Sequence, residues 1–100
     1  MIVKNPNDYK FIKFKKSHLA NKKYDAIIYN TKTKRHKRVP FGGIKPNRVP
    51  YEQFRDATGL GLYSAYDHLD KKRKFNYFKR FGKKAQKFSS KWFSHRFLWS

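Results

Sequence analysis

A chain of 100 residues and 12.1 kDa has room for one small domain, which hides only about 60 to 65% of its unfolded surface. The absence of cysteine excludes disulfides and thiolate metal sites. The 26 Lys and Arg against six acidic residues give a formal charge of +20 at pH 7, well beyond the net magnitude of about 2 to 8 that suits a small soluble domain.

Self-repulsion of that size destabilises a compact monomer, and a polyanion relieves it: nucleic acid, an anionic membrane face or an acidic protein surface. Leu, Ile, Val and Phe supply 23 residues, just above the roughly 20% below which high charge points to disorder. The 19 aromatic residues must therefore carry much of any core, each burying about 150 to 250 Å².

In chain order, residues 1–23 read as an extended basic arm. Pro6 and Asn7 break structure early, and YKFIKFKKSHL interleaves apolar residues with lysines without a clean period of 2 or 3.6. No apolar signal core and no membrane-spanning run is visible, so neither secretion nor a membrane span is expected. Residues 24–100 read as a small α+β domain.

Tyr24 to Tyr29 is rich in β-branched and aromatic residues, NTKTK supplies a polar turn, and RHKRVPF reads as the return strand of a hairpin. Pro40 places that second strand at an edge, because it cannot donate to a ladder. Lys32, Lys34, Arg35, Lys37 and Arg38 make the hairpin strongly basic, which also discourages edge-to-edge aggregation.

Gly42, Gly43 and Pro46 mark a loop, and Pro50 suits the first position of a short helix over YEQFRDAT, stopped by Gly59 and Gly61. A second helix is expected from about Ser64 or Asp67 to Phe81, with Asp67 as cap, Asp70 in the first turn and Gly82 as the stop. Lys71, Lys72, Arg73 and Lys74 lie too early to favour the helix dipole and read, with Arg80, as a cationic surface. Ser89 or Ser90 can cap a last helix carrying KWFSHRFLW.

Aromatics among cations serve either as stacking platforms for unpaired bases or as core. The scarcity of aliphatic residues favours the core, with Trp92, Phe93, Phe97, Leu98 and Trp99 packing there or anchoring an interface. Asp67, His68 and Asp70 sit at a spacing that a Mg²⁺-dependent nuclease could use, yet a helix cap accounts for them without chemistry. His18, His36, His68 and His95 are scattered, and GLGLYS lacks the context of a dinucleotide loop. No catalytic residue, metal or cofactor is expected.

The order KRVPFGG, YSAYDHLDKKRKFNYFKRF and SSKWFSHRFLW resembles a family of short, basic, uncharacterised proteins of large DNA viruses of eukaryotes, with relatives in some large phages. The resemblance rests on Val39, Phe41, Gly42, Asp67, His68, Asp70, Arg73, Tyr77, Arg80, Trp92, Phe93, Ser94, Leu98 and Trp99, over residues 24–99. Phe81 stands where that family has a His, and the segment between Gly82 and Ser89 is short. The resemblance implies a virion protein, in the core or inner capsid shell and part of a larger assembly, and brings no activity with it. The expected function is non-enzymatic, non-specific binding of viral DNA by charge neutralisation; the alternatives are a minor capsid or cement protein on acidic capsid surfaces and, more remotely, the nuclease.

Overall fold

The computed structural model describes residues 4–100. Three antiparallel strands, β1 (Tyr9–Lys16), β2 (Lys22–Asn30) and β3 (Arg35–Gly43), form one sheet in the order β1-β2-β3. Two helices follow, α1 (Lys71–Phe81) and α2 (Ser90–Phe97), completing a small α+β domain.

The hairpin register pairs Tyr24 with Phe41, Ala26 with Val39 and Asn30 with Arg35. Its turn is set locally. The Asn30 side chain accepts from the backbone N–H groups of Lys32 and Thr33 at 2.9 and 3.0 Å, and Lys34 takes up a positive φ of 62°. Asn at the start of such a turn substitutes a side-chain acceptor for a backbone one. Pro40 does lie on an edge strand, and its carbonyl accepts from Ser90 Oγ at 2.6 Å.

The expected arm is instead part of the sheet: residues 9–16 pair with the free side of β2, while residues 1–3 lie outside the described residues. Between Phe11 and Lys13 the register shifts, so Phe11 pairs with Ile28 and Phe14 with Ala26. A bulge of this kind inserts one residue and breaks alternation. It turns Phe11 and Phe14, three apart, toward the same core, where Phe14 meets Phe41, Phe93 and Phe97 at centroid distances of 5.6, 6.1 and 4.7 Å. The missing period of 2 in YKFIKFKK is the imprint of that bulge.

The core is Tyr24, Ala26, Ile28, Val39, Phe41, Phe88, Phe93 and Leu98, with Phe14, Tyr63, Trp92, Phe97 and Trp99 packed against it. α2 lays Phe93 flat on Phe41 at 5.5 Å. Ser89 caps this helix by accepting from Trp92 N. Phe88, just before the cap, is buried at a positive φ of 64°, a conformation uncommon for a large side chain. The turn brings its ring onto Trp92 and Phe93.

Two expectations fail in the 44–70 segment. YEQFRDAT is not helical, because its backbone donors find long-range acceptors: Tyr51 N donates to Gly43 O, Gln53 N to Tyr66 O, Arg55 N to Leu98 O and Ala57 N to Phe97 O. Eight residues between prolines and glycines nucleate a helix poorly, so these partners prevail. α1 begins at Lys71, not near residue 64 or 67; only a short 3-10 turn covers Ser64–Tyr66. Asp70 is its cap, accepting from Lys72 N and Arg73 N at 2.9 and 3.2 Å. Asp67 is drawn inward to Gln53 Nε2 and Asp56 N at 2.7 and 2.9 Å. Gly82, with φ 75°, ends α1 as expected.

Candidate anion-binding cleft

The six acidic side chains are all engaged within the fold. Asp25 accepts from Ser17 Oγ and His18 N and pairs with the His18 ring. Asp56 accepts from Tyr24 and Thr58, Asp67 holds Gln53, and Asp70 caps α1. The hydrogen bonds from His18 and Ser17 hold Asp25 below the usual carboxylate range against the cost of its burial, and Thr58 and Tyr24 do the same for Asp56. Only Asp8 and Glu52 meet cations, Lys32 and Arg73, each at 3.4 Å. Among the described residues, the remaining 24 of the 26 Lys and Arg have no carboxylate within 4 Å, and the two exposed pairs are worth little. Asp67 and Asp70 are thus committed to Gln53, a backbone amide and the helix end, and no group of three His, Asp or Glu among the described residues is placed to hold a metal ion.

The sequence-predicted cations fall into two places. Lys32, Lys34, Arg35 and Arg38 are exposed on the β2–β3 hairpin, with Lys37 half-buried. Lys71, Lys72, Arg73 and Arg80 are exposed on α1, while Lys74 sits over the Phe54 ring at 4.7 Å. The fold does not gather the two groups at one point. The hairpin turn lies at one end of β2, and α1 borders a cleft at the other end, beside Lys23, Gly42 and Gly43.

That cleft has a volume of about 740 Å³ and collects cations from three parts of the chain: Lys23 from β2, Lys45 from the following loop, and Arg73 and Arg80 from α1. Arg73, Tyr77 and Arg80 share a helix face because they are four and three residues apart. One wall is aromatic, with Tyr77 stacked on Trp99 at 4.2 Å and 3° between planes. Burial raises the Tyr77 hydroxyl to about 12, so it stays protonated and hydrogen-bonded to His95 Nδ1 at 3.0 Å. Two glycines let the floor close. A Cβ on Gly42, at φ 78°, would lie 3.0 Å from both Lys23 Cβ and Leu98 Cδ1, and one on Gly43 would lie 2.9 Å from the Tyr51 ring.

Sequence reading missed Lys23. It is 1% exposed and donates from Nζ to Tyr51 O and Gln53 Oε1, both at 2.5 Å. Burial lowers its pKa to about 8, against the opposing pull of Asp56 and Asp67. No local signal marks it, since KKYDAIIY begins with two lysines and only the tertiary cover of residues 51–53 separates the half-buried Lys22 from the buried Lys23. The stretch Trp92 to Trp99 supplies core: Phe93 and Leu98 are buried, Trp92, Phe97 and Trp99 pack partly buried beside them, and Arg96 stays outside over the Trp92 ring.

No protein-family model, no curated protein and no solved structure matches this chain. Among the described residues no helix is long and apolar enough to cross a membrane.

Proposed function

We propose that this protein is a non-enzymatic, basic virion protein that binds the phosphates of nucleic acid without reading sequence. The observation that carries this reading is the charge balance: every acid is used inside the fold, and 24 cations are left without a carboxylate partner. Cations lie at both ends of β2, on the hairpin turn beyond Asn30 and around the cleft beside Lys23, so phosphates can be met at more than one place on the surface. Most of the rings lie in or against the core, so phosphate neutralisation rather than base stacking is the main source of affinity. The virion setting rests on the resemblance of residues 24–99 to the viral family.

The test is binding to DNA of unrelated sequences by fluorescence anisotropy. If six to ten phosphates are neutralised, affinity falls about 10³ to 10⁵-fold between 50 and 200 mM salt. Replacing Lys34, Arg35 and Lys37 with Gln lowers the salt slope by about one for each phosphate no longer held. Absence of binding at 50 mM salt refutes the reading.

A second reading is a minor capsid or cement protein, favoured by apolar side chains left outside the core. Ile12 is exposed on the edge strand β1, and Leu69 and Phe75 are exposed at and on α1. Fractionation of purified particles separates the two: recovery with the shell and not with the DNA-containing core supports the capsid role.

A further inference from the structure

Burying an ammonium is costly unless a countercharge or full hydrogen bonding compensates. Lys23 is the one buried lysine among the described residues, and both of its acceptors are neutral oxygens. An ammonium has three donors, so one N–H remains after Tyr51 O and Gln53 Oε1. Its side chain lines the same cleft as Lys45, Arg73 and Arg80, where the sole acid is Glu52, itself half-exposed and 3.4 Å from Arg73. The cleft therefore carries a surplus of positive charge that the chain itself does not balance.

We propose that this cleft is a discrete site for one phosphoryl oxyanion, bound by Lys23, Arg73 and Arg80. Cations arriving from a strand and a helix suit a tetrahedral group with several charged oxygens better than a planar carboxylate, and guanidinium groups match phosphate geometry. The stacked Tyr77 and Trp99 rings give the cleft one apolar side, where charges act through a lower local dielectric than in open water. Glu52, in its weak exposed pair with Arg73 at 3.4 Å, competes with the anion and is displaced by it. The site rests on the nucleic-acid reading and deepens it by naming where one phosphate is held, but it would equally hold the phosphate of a small free compound.

The probe is pyrophosphate, titrated calorimetrically into the full chain at 100 mM salt. The expected result is saturable binding of one pyrophosphate per chain. Arg80→Gln, an exposed change that leaves the fold intact, and Lys23→Met each weaken it about tenfold or more, the range of a lost charged hydrogen bond. Glu52→Gln tightens it about two- to fivefold by removing the competing carboxylate, a gain that misfolding cannot imitate. The triple change of Lys34, Arg35 and Lys37 to Gln leaves it unaltered. Non-saturable binding, or equal weakening by cleft and hairpin variants, overturns the site, as does Lys23-dependent binding of an acidic peptide in place of pyrophosphate.

Competition identifies the source of the phosphate. A 12-base-pair DNA that displaces pyrophosphate assigns the site to the nucleic-acid backbone, and DNA that binds without displacing it assigns the site to a free phosphate compound. DNA binding without any pyrophosphate binding removes the site and leaves the proposed function. Pyrophosphate binding without DNA binding does the reverse.

Discussion

Phe93→Ala tests whether α2 is held on the sheet by the aromatic core. Phe93 is 0% exposed, lies flat on Phe41 at 5.5 Å and on Phe88 at 5.9 Å, and meets Trp92, Phe97, Phe11 and Phe14 between 4.9 and 6.2 Å. Truncating a buried Phe costs about 3 to 5 kcal/mol in lost transfer energy and cavity. In a domain whose total stability is about 5 to 15 kcal/mol, that is a large share. At about 4 to 8 °C per kcal/mol for this size, Tm falls by at least about 12 °C, or the chain does not fold. Phe75, 65% exposed on α1, is the control, and its replacement by Ala stays within about 0.5 kcal/mol. Thermal melts followed by near-ultraviolet circular dichroism read both variants. Equal melting temperatures for Phe93→Ala and wild type would show that α2 is not docked on β3 in the free protein, and that its rings are ordered by something outside the chain.

Three further outcomes are expected. Asp70→Ala leaves Lys72 N and Arg73 N without their acceptor and costs about 1 kcal/mol of stability, read as a lower urea midpoint; an unchanged midpoint rejects the cap. Because the folded pKa of Lys23, about 8, lies below the ordinary lysine value of 10.5, the unfolded chain binds more protons between these values. Its contribution therefore makes stability rise with pH from about 8 toward 10, and Lys23→Met removes that rise; a slope identical in the variant refutes it. His68 and His95 each keep a buried Nε2 without a partner, and burial lowers both pKa values. Their folded pKa values lie below the unfolded 6.5, so their contribution to stability is full above pH 6.5 and is lost as pH falls through that range. His95→Gln should shrink the difference between urea midpoints at pH 7.5 and 5.5, and an undiminished difference would place the acid sensitivity elsewhere.

The hairpin, the edge position of Pro40, the Gly82 stop and the Ser89 cap were legible because each follows from short-range chemistry. Alternating or continuous apolar residues make a strand, a proline lacks a donor, and a hydroxyl one residue before a helix accepts its free N–H groups. Strand β1 was not legible, because the bulge between Phe11 and Lys13 erases the period that a strand would show. The 44–70 segment misled for a different reason. Its residue types permit a helix, but Gln53, Arg55 and Ala57 take hydrogen-bond partners from 13 to 43 residues away.

The same division runs through the site. The sequence by itself determined the charge and the scarcity of aliphatic residues that leaves the core to the aromatics, since composition is a property of the chain alone. Only the tertiary structure decided that Lys23 is buried while Lys22 is half-exposed, that Asp67 is drawn to Gln53 and leaves the cap of α1 to Asp70, and that the hairpin and helix cations lie apart. Burial and countercharge depend on what packs against a residue, and here those neighbours come from positions about 30 residues away along the chain, as Tyr51 and Gln53 do for Lys23.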